Sequence, residues 1–359
     1  MQAIAIPQAR WTILVALTGC LLPPSLSAQQ AERYALSADE VAIYNLAGEV
    51  RVEAGSGPDV TTEVIRGGAD AGQLKVLKGD SDGRETLRIV YPGERIQYGK
   101  LANGSTTQLR VRDDGTFGGD HDKDKNQGRR VTIAPSGGGL VAHADLRVTV
   151  PAGKRVEIHQ AVGKVAVTNV HGDLSIDVAA APVTASNTRG ELNIDVGSGA
   201  VQVTQARGDL SVDTGSGSVG LSDVRGKSVS VNTGSGDVTA SAVRSSELSV
   251  ETGSGNIQVT GLIAPHVKLE AGSGAVAADL SGEVWEVSVE TGSGDVTLKV
   301  PPTLGAEVDI ETSSGEIETD FEVAVTRHSR DHITGRIGDG SGKIEIETGS
   351  GGIKLVKAR

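Results

Sequence analysis

Apolar and polar residues alternate along the centre of the chain in short runs, and glycine and serine break every run. Leu248 and Val250 precede one such break, and Ile257 and Val259 follow it. A period of two is the signature of a strand with one buried face. The whole phrase reads apolar-x-apolar-acid-Thr-Gly-Ser-Gly-x-apolar-x-apolar. Its Gly-Ser-Gly corner returns at Gly197, Gly215, Gly234, Gly253, Gly272 and Gly292, in steps of 18, 19, 19, 19 and 20 residues. A fixed period of this size marks a repeat architecture. The two halves of each copy are too short for helices, and the corner glycines supply positive-φ positions. Each copy therefore predicts two strands and two turns. Copies of near-constant length stack most simply as coils of a parallel β-solenoid. Antiparallel hairpins would satisfy the alternation, yet they would not explain why like residues recur at one coil position. Stacking predicts an inward column of Val212, Val231, Val250, Leu269 and Val289. About five inward aliphatics per coil cannot offset the ordering of a coil's whole backbone. Coils must therefore lean on neighbours, and the open ends of the stack need caps.

Outside this centre the rhythm loosens. Residues 29–150 read as an N-terminal β module with one early copy of the phrase at Val50–Gly57, further strands at Leu87–Tyr91, Leu109–Arg112, Val131–Ile133 and Leu146–Val150, and a polar loop over 113–130. Solenoid repeats of about 19 residues fill 151–319, beginning near Val156, with degenerate corners at Ala161–Lys164 and Ala179–Pro182. After Thr312-Ser313-Ser314-Gly315 an insertion runs from Asp320 to Gly342. The pattern then resumes from Ile344 to Leu355, so 320–359 is expected to be a C-terminal capping segment with the last coil. The predicted fold class is all-β.

The first 28 residues have the form of an export signal: Arg10, the apolar run Trp11–Leu22, then Ser25-Leu26-Ser27-Ala28 before a cleavage point. The run is too short to span a membrane. Leu17-Thr18-Gly19-Cys20 offers an alternative, a lipobox in which Cys20 becomes the lipidated first residue. Cys20 is the sole cysteine, so the chain beyond Ala28 can build neither a disulfide framework nor a cysteine metal site. Loss of Arg10 with the leader takes the formal charge from -12 to -13, which argues against nucleic acid as a partner. The eight aromatic residues include one tryptophan beyond the leader, Trp285.

The phrase Thr-Gly-Ser-Gly-Asp-Val at Thr233–Val238 and Thr291–Val296, and the closing Ser314-Gly315-Glu316-Ile317-Glu318-Thr319-Asp320-Phe321, resemble the bacterial putative-adhesin family of β-strand repeats, domain of unknown function 4097. So do Thr334-Gly335-Arg336-Ile337-Gly338 and the final Thr348-Gly349-Ser350-Gly351. The resemblance implies an exported, envelope-associated β-solenoid protein with no assigned activity and no catalytic residue to carry over.

Several motifs suggest sharper chemistry and fail on inspection. Gly215-Ser216-Gly217-Ser218-Val219-Gly220 fits a dinucleotide fingerprint, but a strand is expected where that motif needs a helix. Gly340-Ser341-Gly342-Lys343 lacks the first glycine and the Ser/Thr of a phosphate loop. His328 and His332 have zinc-helix spacing without the glutamate between them. Arg207-Gly208-Asp209 repeats at the same turn as His171-Gly172-Asp173, Arg189-Gly190-Glu191 and Arg225-Gly226-Lys227, so the turn explains it. Asp120, Asp122, Asp124 and Asn126 lack the glycine and closing glutamate of a calcium loop. No catalytic, cofactor-binding or metal-binding set is assigned.

The candidate site is an acidic ladder. Two positions before each corner stand Asp177, Asp195, Asp213, Asn232, Glu251, Glu270, Glu290, Glu311 and, after the insertion, Glu347. Alternation turns them outward. Stacking would align them as a solvated face that discourages lateral association, or as a site of weak divalent-cation binding through many contacts. The expected function is an exported, non-enzymatic cell-envelope scaffold or adhesin, in the periplasm, at the surface or secreted, with an unidentified envelope partner. The alternative is an exported β-helical enzyme acting on acidic polysaccharide, which would need a concave groove lined by Lys and Arg.

Overall fold

The computed structural model describes residues 31–81, 83–118 and 128–358. The leader with Cys20 and the segment Asp120–Asn126 lie outside the described residues. Each regular coil is one strand, a Gly-Ser-Gly corner, a second strand and a return corner, as in Glu247–Ser254 followed by Ile257–Leu262. First strands pair in parallel with first strands of the next coil, and second strands with second strands, so the chain is a parallel β-solenoid with two facing columns of strands. Val212, Val231, Val250, Leu269 and Val289 are register partners in turn. Each is at most 1% exposed. The interior is a continuous aliphatic column, and this is the stacking that the alternation predicted.

Threonine and glycine recur at the corner for a reason that alternation does not reveal. Thr214, Thr233, Thr252, Thr291, Thr312 and Thr348 point inward at 1% exposure. The hydroxyls of Thr252, Thr291, Thr348 and Thr312 donate to the carbonyls of Gly236, Gly274, Gly294 and Gly351, each in the coil stacked below, at 3.2, 3.0, 3.1 and 3.0 Å. Each of these four threonines thus fills core volume and satisfies its own buried oxygen on the neighbouring corner, whereas the Thr214 hydroxyl is buried without a protein partner. The second glycine of the corner is required by close approach as well as by conformation. At Gly236, with φ of 156°, a Cβ would lie 2.2 Å from the carbonyl oxygen of Gly217.

Both ends of the stack depart from chain order. The C-terminal strand Gly342–Thr348 lies between Glu286–Thr291 and Ala306–Thr312, parallel to both. Its companion Ile353–Lys357 lies between Val296–Val300 and Ile317–Thr319. The last coil of the sequence is therefore the last but one of the stack. The N-terminal end does the same. The strand Glu40–Gly55 forms a whole coil that pairs with Arg155–Thr168 on one side, and with Arg84–Val90 and His143–Pro151 on the other. The segment before residue 150 thus contributes two coils to the same stack, while Arg95–Gln97, Thr107–Val111 and Arg129–Ala134 form a separate three-stranded sheet.

Antiparallel strands close the outer coils. Glu32–Leu36 and Val60–Gly67 pair outside His143–Pro151, and Lys75–Ser81 pairs outside Arg84–Val90. At the other end the insertion folds as the hairpin Ala324–His328 with His332–Ile337, which covers Ala306–Thr312. Such caps remove the long flat edges along which parallel stacks associate.

Threading a coil between its neighbours forces the chain to climb two coil heights, roughly 10 Å, at one corner of each end. These steps are 151–155 and 301–305. At the first, Lys154 fills the resulting space: its ammonium donates to the carbonyls of Ser37 and Ala38 at 3.1 Å each and to the Asp39 carboxylate at 2.8 Å. At the second, the space stays open as a cleft.

The substitution Val250→Asp places an unpaired carboxylate in the middle of the interior column. It should destabilise the protein by several kcal/mol, read as a large drop in Tm, whereas Ser249→Asp on the outward face of the same strand should leave Tm within a few degrees.

Candidate functional site

The structure brings the acidic positions into one register. Asp177, Asp195, Asp213, Asn232, Glu251, Glu270 and Glu290 pair in succession. The two final rungs are exchanged relative to expectation: Glu347 pairs with Glu290, and Glu311 follows Glu347. The cause is the threaded last coil, which inserts Glu347 between two residues that are neighbours in repeat order. The ladder is also less uniform in charge than its own column suggests. Lys268, on the adjacent outward column, reaches Glu270 at 2.8 Å. The Glu270 carboxylate holds its ammonium above the ordinary lysine range, with Glu251 and Glu290 adding to the effect. Among the described residues no three His, Cys, Asp or Glu side chains converge as a metal-binding group.

The same column continues past Asp177 into a buried cluster that sequence reasoning missed. His159 stands one coil below Asp177, and Tyr44 one coil below His159. Alternation alone turns these two residues outward. The segment Thr116–Gly118 folds over them, so His159 is 6% exposed and Tyr44 likewise 6%. The imidazole stacks on Tyr44 with ring centroids 4.3 Å apart and planes 2° from parallel, and Phe117 meets Tyr44 edge-on at 5.8 Å. His159 Nδ1 lies 3.1 Å from Asp177 and Nε2 3.5 Å from Glu157, which also pairs with Arg84. Gly118 permits the closure, because a Cβ there would stand 2.3 Å from an Asp177 oxygen. Burial opposes the charge on His159, but the Asp177 and Glu157 carboxylates prevail and raise its pKa above the usual histidine value. The neighbouring His159 imidazole, followed by the Arg84 charge, keeps Glu157 below the usual carboxylate range against the opposing effect of burial. The 18-residue step from His159 to Asp177 was the available sequence signal.

The remaining motifs resolve as structural. The strand Val219–Ser222 follows Gly217, where a dinucleotide site would need a helix, and Gly342 opens another strand. His332 bonds the Asp309 carboxylate at 2.8 Å beside the hairpin turn 329–331. Arg207 belongs to a column of return corners, His171, Arg189, Arg207, Arg225 and Arg244. Its guanidinium is engaged by Asp223, at 2.6 Å to the carbonyl and 2.7 Å to the carboxylate.

The step 301–305 leaves a cleft of about 530 Å³. Ser281 to Trp285 line one wall, Pro301 and Thr303 to Gly305 the other, with Ser341 between. Trp285 is 58% exposed.

With this geometry in place, the chain can be set against known proteins. Residues 102–356 match the family described as Toastrack DUF4097. The chain belongs to the Toastrack family. Solved structures similar to this Toastrack chain include a "putative cell adhesion protein" from Clostridium sporogenes, at 12% identity and TM-score 0.22, covering 92% of this chain and 99% of that one. Another is a "putative adhesin" from Bacteroides fragilis, at 12% identity and TM-score 0.38, covering 91% and 96%. A third is a "putative adhesin" from Parabacteroides distasonis, at 11% identity and TM-score 0.33, covering 92% and 98%. No curated protein matches the chain. Among the described residues no helix is long and apolar enough to cross a membrane.

The buried cluster makes stability depend on pH in a defined direction. The raised His159 pKa contributes stability that is fully present below the unfolded value of about 6.5 and is lost as pH rises through the folded value. The depressed Glu157 pKa acts oppositely, contributing above its unfolded value of about 4.3 and fading as pH falls. Thermal melts from pH 5 to 9 should show the parent losing Tm toward alkaline pH relative to His159→Gln, with the difference between the two curves levelling off once His159 is neutral.

Proposed function

We propose that the chain is an exported, non-enzymatic scaffold of the cell envelope that displays its outward columns to a surface partner, with processing after Ala28. The observation that carries this reading is the stack itself: long outward columns of like polar side chains, in register from Asp177 to Glu311, on a rigid aliphatic interior. Such a surface suits many weak, repeated contacts better than a reaction, which requires acid, base and a charge clamp to converge on one reacting group. The Arg10 and Trp11–Ala28 leader supports export. Divalent cations would be held along the acidic ladder diffusely, as a shared counter-charge between rungs roughly 4.8 Å apart. The competing reading, an exported β-helical enzyme acting on acidic polysaccharide, gains nothing from the cleft, whose lining carries Glu283 and neither Lys nor Arg.

Fractionation and mass spectrometry of the full chain produced in a Gram-negative host test the proposal. The expected result is an envelope or external protein whose first residue is Gln29, unchanged in the Cys20→Ser variant. A lipid-modified Cys20 at the new N-terminus would establish the anchored form of export instead. Retention of the unprocessed chain in the cytoplasm would contradict the proposal.

A further inference from the structure

The cleft at the C-terminal step has the properties of a ligand site, and they follow from the fold. At every regular return corner the chain climbs one coil, and the turn of each coil packs on the turn below. Above the turn 281–285 this continuity is lost. The coil that stacks there is 342–357, which enters from Ser341, and the turn that should sit above belongs to the two-coil step 301–305. The resulting space is about 530 Å³, within the range of small-molecule sites. Its walls are held by backbone bonds: Ser281 to Leu262 at 2.7 Å, Trp285 to Pro265 at 3.0 Å, Lys343 to Trp285 at 2.8 Å, Leu304 to Pro301 at 3.0 Å and Gly342 to Gly305 at 2.9 Å. A cleft so braced loses little freedom when a ligand enters it.

Three large apolar side chains are exposed among the described residues, Leu77, Trp285 and Val325, and Trp285 alone of these lines the cleft. Its indole meets His266 edge-on at 5.7 Å, leaving it 58% exposed. An indole held at the mouth of a rigid cleft offers a flat apolar platform that water solvates poorly. Around it the chemistry is that of neutral hydrogen bonding. Ser281 and Thr303 carry hydroxyls that both donate and accept, the Ser341 hydroxyl donates to the Gly305 carbonyl at 3.3 Å and keeps its acceptor side, and the Glu283 carboxylate accepts only. No Lys or Arg lines the cleft, and the chain's formal charge is -12, so an anionic ligand would meet repulsion from Glu283 and from the whole molecule. A quaternary ammonium would need a cage of several aromatic faces, where this cleft has one.

We infer that this cleft binds a neutral pyranose unit of an oligosaccharide, with the C–H face of the ring on Trp285 and its hydroxyls on Glu283 and the Ser/Thr hydroxyls. The inference rests on the reading of the chain as a surface-display scaffold, to which it adds a ligand class. Chain order creates such a step once at each end of the stack. The matching step at the other end, 151–155, is filled by Lys154.

Trp285 is also its own reporter. With Trp11→Phe in the full chain, it is the one remaining tryptophan. Its fluorescence is titrated with cellotetraose, with the β-1,4-linked tetramer of N-acetylglucosamine and with tetragalacturonate. Calorimetry is run in parallel on Trp285→Ala and Glu283→Gln, whose melting temperatures should match the parent because both side chains are exposed. The expected result is a saturable blue shift with at least one neutral tetramer, absence of binding heat in Trp285→Ala, and affinity about tenfold weaker in Glu283→Gln. No saturable change with either neutral tetramer overturns the inference, as does binding that survives Trp285→Ala. Tighter binding of tetragalacturonate than of the neutral sugars overturns the assignment of a neutral ligand. Each outcome is read on purified protein, so failure here leaves the export result standing, and failure of export leaves this binding measurement standing.

Discussion

Backbone hydrogen bonding from each coil to the next, at a spacing of roughly 4.8 Å, is the constraint on which the rest of this protein depends. It dictates which side chains can share a column. Inward it admits Val212, Val231, Val250, Leu269 and Val289, because β-branched and aliphatic groups stack without voids. At the corner it brings backbones so close that a Cβ on Gly236 would collide with the Gly217 carbonyl. Thr252 turns that proximity to use, since its buried hydroxyl finds the Gly236 carbonyl. Outward, the same spacing aligns like charges, and each neighbouring pair costs about 1 kcal/mol in water before salt screens it. Burial along every coil is larger than that cost, so the acidic column is tolerated, and Lys268 relieves part of it at Glu270.

A stack bonded only from coil to coil has two open ends, and the chain closes both in the same way. It enters the stack at the coil 40–55, builds the outer coil and its antiparallel cover, and then steps over its own beginning at 151–155. At the far end it builds the outer coil 306–319 first, adds the cover, and returns to fill the vacant slot with 342–357. The first strand of the outer C-terminal coil and both strands of the outer N-terminal coil are thereby covered by antiparallel strands, while the short strand Ile317–Thr319 pairs on one side only. The two double steps that this requires differ in outcome. Lys154 occupies one, while the other holds the cleft beside Trp285. Capping and the cleft thus share one topological cause.

The regular coils could be read in the sequence because their information is local. Leu248, Val250, Ile257 and Val259 state which faces are buried, and the return of Gly-Ser-Gly states the period. Acidic positions from Asp177 to Glu290 followed from the same alternation. The place of Glu347 did not. Ile344-x-Ile346-x-Thr348-Gly-Ser-Gly matches any coil equally well, so its pattern carries no information about which neighbours it joins. His159 was missed for a related reason. Alternation predicts only which side of the sheet a residue faces, and the cover supplied by Phe117 and Gly118 comes from a segment some forty residues earlier. Ala42, Tyr44 and Ile43 are all buried on one strand, where a strand with one free face would alternate. The family match over 102–356 covers the regular repeats and leaves out the coil strands Glu40–Gly55 and Arg84–Val90.

The threaded order of the last coil is the central structural claim, and pairwise cysteine oxidation tests it most directly. In a Cys20→Ser background, cysteines are placed at ladder positions 290, 311 and 347, two at a time. Register partners on adjacent strands lie within the 4.4–6.8 Å Cα separation that a disulfide spans, and residues two coils apart, at roughly 10 Å, do not. The threaded stack predicts that Glu290→Cys with Glu347→Cys oxidises, that Glu347→Cys with Glu311→Cys oxidises, and that Glu290→Cys with Glu311→Cys stays reduced. Ready oxidation of the 290 and 311 pair, with the 290 and 347 pair reduced, would show coils stacked in chain order and contradict this account.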